Sequence, residues 1–188
     1  MMSAAQSERI DWEGALVQRA RAGDMRAFER LYREHIGRVY GLCLRLVREP
    51  ATAEDCAQEA FINAWRGLQT FQTRSAFGTW LHRIAVNVAL ARRRRPGWTM
   101  QSLAEPDSAD EPVEVEWSLD TPVEESEIEA AVGELPEGAR DVLVLCGIYG
   151  YSHGEASEML GVAEGTCKAQ LHRARALLRR KLNPEASP

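Results

Sequence analysis

The stretch YSHGEASEMLGVAEGTCKAQLHRARALLRRKL, residues 151–182, reads as a short helix, a glycine turn and a long basic helix. Ser152 stands where an N-cap belongs, ahead of Glu155, Ala156, Met159 and Leu160. Gly161 stops that helix, because glycine takes the left-handed C-terminal conformation without a Cβ penalty. Glu164, Gly165 and Thr166 open the second helix. Leu171, Ala174 and Leu178 recur at spacings of three and four and mark its inward stripe. Lys168, His172, Arg175 and Arg179 recur on another face, flanked by Arg173 and Arg180. A basic helix after a tight turn suits phosphates and base edges, so duplex DNA is the expected partner. Basic amphipathic helices are more often plain solvated or protein-binding faces; the helix–Gly–helix arrangement is what favours DNA here.

The chain's net charge of -5 looks wrong for a DNA binder until it is mapped along the sequence. Residues 1–95 hold 16 Lys/Arg and 10 Asp/Glu, residues 96–139 hold 13 acidic and no basic residues, and residues 140–188 hold 7 basic and 5 acidic. Two basic modules therefore flank an acidic segment. That segment contains Pro106, Pro112 and Pro122, and lacks sustained periodicity until about Glu124. Such a composition buries too little apolar surface to order itself and reads as a flexible tether. Its charge also suits a strand threading a basic channel. No run of eighteen apolar residues is present and the N-terminus lacks an apolar signal core, so the expectation is a cytoplasmic chain with no membrane insertion. Cys43, Cys56, Cys146 and Cys167 show no CxxC spacing and read as buried free thiols, with no metal or cofactor expected.

The N-terminal module is helical throughout by pattern. Trp12, Leu16 and Val17 begin it, and Arg21-Ala22-Gly23-Asp24 breaks it. A long amphipathic stripe follows through Phe28, Leu31, Tyr32, Ile36, Val39, Tyr40, Cys43 and Leu46, ending before Pro50. Thr52 with Asp55 three residues on suggests a capping box for the next helix, which carries Ala57, Ala60, Phe61, Ala64, Trp65 and Leu68 inward. Phe77, Trp80, Leu81, Ile84, Ala85 and Val88 form a last stripe ahead of Arg92 to Arg95. The apolar run Val142 to Cys146 is read as helix because it sits inside a longer apolar pattern. The fold class is therefore all-α: an N-terminal helical bundle and a C-terminal helix-turn-helix domain joined by an acidic flexible linker, with boundaries at 1–95, 96–126 and 127–188.

Three ordered segments, AEDCAQEAFINAWRGL, FQTRSAFGTWLHRIAVNVALARRRR and GTCKAQLHRARALLRRKL, together resemble a bacterial sigma factor of the extracytoplasmic-function group in the sigma-70 family. The resemblance runs from about Trp12 to Leu182, apart from the linker. It implies an alternative sigma factor that binds core RNA polymerase, through its β′ clamp helices and β flap, and directs promoter-specific initiation. It also implies control by an anti-sigma factor. Core polymerase would supply the chemistry, so the chain is not expected to be an enzyme; no Gly-rich phosphate loop, nucleophile elbow or metal cluster is present.

The resemblance also assigns residues. Asp55, Gln58 and Glu59 match the family's D-x-x-Q-E face, which docks on the clamp helices, and Arg66 lies along the same helix. Phe71, Gln72, Thr73, Arg74, Ser75, Asn87, Arg92 and Arg93 fall where the family captures the melted downstream promoter element. Aromatic and arginine side chains suit single-stranded DNA. The upstream element, in duplex form, is read from the last helix: Lys168, Ala169, His172 and Arg173 occupy the reading positions. Gln170, Arg175 and Arg179 are placed for phosphates, and Thr166 either caps the helix or touches phosphate. The family's G-T-V-K-S-R is Gly165-Thr166-Cys167-Lys168-Ala169-Gln170 here, so the recognised sequence is this chain's own. The rival reading is a conventional helix-turn-helix regulator with a helical sensor or dimerisation domain. It gives no reason for the D-x-x-Q-E face.

Overall fold

The computed structural model describes residues 4–72, 75–93 and 125–182, and every regular element among them is helical. Thr73, Arg74, Arg94, Arg95 and the acidic segment 96–124 lie outside the described residues. The chain forms two compact units, residues 1–95 and 96–188. Among the described residues no helix is long and apolar enough to cross a membrane.

The first unit holds α1 (Ala4–Arg21), α2 (Met25–Val47), α3 (Pro50–Gly67), a 3₁₀ turn (Leu68–Thr70) and α4 (Phe77–Arg93). Asp24 starts α2 by accepting the Arg26 and Ala27 amides at 3.0 and 3.2 Å. Arg19, 2.7 Å from the same carboxylate, and the Ala27 amide hold the Asp24 carboxyl below its usual range. The start of α3 differs from the sequence expectation. Glu49, not Thr52, is the N-cap, and its carboxylate accepts the Ala51 and Thr52 amides. Pro50 decides this: its fixed φ and missing N–H suit the first helical position, which puts the cap one residue before it.

The core of this unit runs along Leu31, Val39, Leu42 and Leu46 of α2 and Leu81, Ala85, Val86 and Ala89 of α4. Between them α3 presents Ala53, Ala57, Ala60 and Ala64, all buried, so three helices pack mutually at close range. Gly78 allows the same approach of α4 to α2, since a Cβ there would meet His35 Cε1 at 3.0 Å. His35 is buried, and its Nε2 lies 2.7 Å from Glu13 Oε1, which ties α1 to α2. Arg21 and Gln69 exchange side-chain to main-chain hydrogen bonds and fasten α1 to the 3₁₀ turn.

The second unit holds α5 (Glu125–Gly133), α6 (Glu137–Val142) continuing into a π-helical turn (Leu143–Ile148), α7 (His153–Leu160) and α8 (Glu164–Leu182). The Val142–Cys146 run is helical, as the longer apolar pattern indicated. Gly138 through Leu145 are all buried, so this helix lacks a solvent face and its apolar residues are consecutive rather than periodic. Ser152 caps α7 and forms a full capping box with Glu155. Gly161 closes it at φ 70°, a left-handed conformation that glycine adopts freely. Lys181 pairs with Glu134 and ties the end of α8 to the segment after α5.

Candidate nucleic-acid interface

Asp55, Gln58, Glu59 and Arg66 are all exposed on α3, on the side opposite its alanine stripe. Ile62 lies among them, and its side chain is 50% exposed, unusual for a large aliphatic residue. Residues 55, 59, 62 and 66 fall at helical spacings of four, three and four, so they share one stripe. Beside it, α2 and α3 form an aromatic seam: Tyr32 and Phe61 rings lie 4.6 Å apart, and Phe28 and Trp65 rings 4.8 Å. Tyr32 is itself partly exposed. Ile62 is not among the residues that the sequence pattern assigns to this face; its signal there is an isoleucine in an otherwise polar stripe.

The segment between the 3₁₀ turn and α4 divides by burial. Gln72 and Ser75 are exposed, and so is Asn87, nearly three turns beyond Phe77 on α4's outer face. Phe71 is different. It is 5% exposed, with its ring 4.8 Å from Trp80 and 6.1 Å from Phe77. Phe77 in turn lies edge-on to His35 at 5.5 Å. Phe71 was expected to meet the unpaired strand; its ring instead anchors the loop to the core, because two aromatic partners, Phe77 and Trp80, bury it more fully than a solvent-facing site could.

Arg92 and Arg93 were expected to meet phosphates, and both are turned back onto their own unit. The Arg93 Nη1 donates to the Leu46 carbonyl at 3.2 Å, near the end of α2, where carbonyls lack helical partners. The Arg92 Nη2 lies 3.5 Å from Asp55 Oδ2 and 3.8 Å from Glu59 Oε2. Two sets of residues assigned to different partners thus touch.

In the second unit, α8 shows its basic residues outward. Lys168, Arg173 and Arg179 are exposed, and Thr166, Ala169, His172 and Arg175 are half-buried. Lys168 pairs with Glu164 at 3.0 Å, and that ammonium holds the Glu164 carboxyl below its usual range. Gln170 departs from the expectation. It is 1% exposed and faces inward with Cys167, Leu171, Ala174 and Leu178. A side chain so placed cannot reach a phosphate. The signal was present: Gln170 stands four residues before Ala174 and beside Leu171, on the edge of the inward stripe. Neither end of its amide has a hydrogen-bond partner in the protein. Gln170→Leu is therefore expected to raise the second unit's stability by about 1–2 kcal/mol, since it removes unpaired donors and an acceptor at similar volume. Thermal denaturation of the full chain measures it; an unchanged or lower transition would refute the burial.

Cys43, Cys56 and Cys167 are buried as expected, whereas Cys146 is only half-buried. Burial pushes Cys43 up to about 12, with Cys56 nearby adding to it, and Cys167 up to about 11. Such thiols stay protonated and unreactive at neutral pH.

Comparison with known proteins bears on both units. The model of Sigma-70 region 2 matches residues 31–99, and that of Sigma-70, region 4 matches residues 125–178. The chain is 35% identical over 179 residues to the RNA polymerase sigma-H factor of Pseudomonas aeruginosa, covering 90% of this chain and 93% of that protein. It is 37% identical over 165 residues to the ECF RNA polymerase sigma factor SigM of Mycobacterium tuberculosis, covering 86% of this chain and 80% of that one. Among solved structures, CnrH in complex with the cytosolic domain of CnrY aligns with a TM-score of 0.61 at 25% identity, over 93% of this chain and 99% of that one. RpoE of Bartonella quintana, solved in complex with the anti-sigma factor NepR, shares the fold at a TM-score of 0.61 and 22% identity, over 86% of this chain and 98% of that one. A region-2 bundle followed by a region-4 helix-turn-helix, with relatives matched over 80–93% of their length, makes this chain a member of the extracytoplasmic-function group of the sigma-70 family.

Proposed function

We propose that the chain is an alternative sigma factor that docks on core RNA polymerase through the exposed α3 stripe and carries the polymerase to a two-part promoter. The observation that carries this reading is that stripe: Asp55, Gln58 and Glu59 stand solvent-exposed on a helix whose other side is locked into the core. Carboxylates on so rigid a support meet a basic partner surface without ordering cost and set its register. Residues 1–95 act as the docking and melting domain, 96–126 as an acidic linker lying in the polymerase's basic nucleic-acid channel, and 127–188 as the upstream-element reader. In α8, Lys168, Ala169, His172 and Arg173 face the bases, while Thr166, Arg175 and Arg179 hold phosphates. Gln72, Thr73, Arg74, Ser75 and Asn87 contact the melted downstream strand. RNA synthesis belongs to the polymerase, and the chain works in the cytoplasm beside it. An anti-sigma factor holds the free chain, as NepR holds the RpoE that shares this fold.

Run-off transcription with core polymerase on a promoter library tests the reading. A promoter-specific transcript that requires the chain is expected. Specific duplex binding by the chain alone, with no transcript, would instead favour a conventional helix-turn-helix regulator. Once a promoter is known, Arg173→Ala is expected to weaken its use about tenfold, within the range of one lost bidentate base contact, and to relax specificity at one upstream position. Equal loss on all sequences would reassign Arg173 to the phosphate backbone.

A further inference from the structure

Arg92 sits in the last turn of α4, yet its guanidinium reaches the two carboxylates of the α3 stripe, Asp55 and Glu59. Its side chain is 32% exposed, so about two-thirds of it is withdrawn from solvent. The contacts are loose. At 3.5 and 3.8 Å they are well beyond the 2.7–2.9 Å or so of a tight charge-assisted hydrogen bond. The Arg92 Nε is buried and has no hydrogen-bond partner in the protein. Burial pushes the Cys56 thiol up, and Arg92 opposes that rise. Arg93 next door makes an ordinary main-chain hydrogen bond at 3.2 Å. Arg92 is therefore a cation parked on carboxylates that a stronger cationic partner can take.

We infer that Arg92 is an exchangeable stand-in for the polymerase's own cations: it covers Asp55 and Glu59 in the free chain, is displaced when core polymerase docks, and is then free to meet a phosphate of the promoter. This rests on the docking role of α3 proposed above. Docking and DNA contact then share one arginine, and the first domain acquires its full positive charge toward DNA only on the polymerase. The exchange is inexpensive in both directions. A partly exposed ion pair contributes little in water, so its loss does not unfold the unit, and the polymerase needs only a better-placed cation to win.

The test uses full-length chain, core polymerase and a promoter fragment recovered by the run-off assay, with variants Arg92→Gln, Arg92→Lys and the triple Asp55→Ala, Gln58→Ala, Glu59→Ala. Without DNA, R92Q is expected to bind core polymerase about 2- to 5-fold more tightly than the natural chain, the scale of one exposed ion pair. Formation of the promoter complex by the R92Q holoenzyme is expected to show a salt dependence shallower by about one phosphate contact. R92K is expected to stay close to the natural chain in both. Equal or weaker core binding by R92Q overturns the exchange and makes Arg92 a residue that positions the carboxylates. Tighter core binding with an unchanged salt slope overturns the hand-over to DNA. If the triple variant binds core polymerase normally, the docking face itself is wrong and the exchange falls with it; if only R92Q lacks the effect, the docking face stands.

Discussion

Ile62→Asp is expected to reduce affinity for core RNA polymerase by about 30- to 100-fold, corresponding to a lost interface hot spot of 2 kcal/mol or more. Ile62 is half exposed in the middle of the α3 stripe, with Asp55 and Glu59 on one side and Arg66 on the other. Interfaces concentrate their energy in a central apolar residue ringed by polar groups that exclude water. Ile62 is placed to be that residue. Aspartate removes the apolar contact and adds a third carboxylate to the stripe, which has to be desolvated against the partner. The fold should not notice: surface substitutions away from caps and networks usually stay within about 0.5 kcal/mol. Binding of the full chain to immobilised core polymerase, with thermal denaturation as the control, makes the measurement. A change smaller than about threefold with an intact fold would mean that Ile62 lies outside the contact.

Phe71→Ala is expected to destabilise the first unit by about 3–5 kcal/mol, the usual cost of emptying a buried aromatic site. For a domain of this size that is a fall of roughly 15 °C or more in its melting transition. Phe71 is 5% exposed and contacts Phe77 and Trp80, so its loss opens a cavity under the loop that leads into α4. Phe71→Leu, which fills most of that volume, should recover much of the loss. The pair of variants separates two roles. A side chain that stacks on an unpaired base would cost little stability as alanine and would weaken promoter melting equally as leucine or alanine. A side chain that anchors the loop costs stability first, and promoter melting follows because Gln72 and Ser75 are no longer held in place.

Much of this architecture is legible before any coordinates. Gly23, Gly161 and Pro50 punctuate the helices for stereochemical reasons that need no tertiary context, and Ser152 with Glu155 forms the capping box that its spacing invites. The exposed D-x-x-Q-E face is equally legible, because the alanines at 53, 57, 60 and 64 define the opposite side of α3. Thr52 and Asp55 match a capping pattern, but Pro50 belongs at the first helical position, and that puts the cap at Glu49. Gln170 is polar by type but inward by position, beside Leu171 and four residues before Ala174.

Local sequence determined the helices, their order, the basic–acidic–basic charge layout and the outward face of α3, because periodicity, caps and charge are properties of a single segment. Tertiary structure alone decided that Phe71 closes an aromatic cluster, that Gln170 is buried with its amide unpaired, and that Arg92 rests on Asp55 and Glu59. Each of these depends on what a different helix presents at the point of contact. Arg92 lies 37 residues from Asp55 in sequence, and no spacing rule along one helix can report a meeting between two.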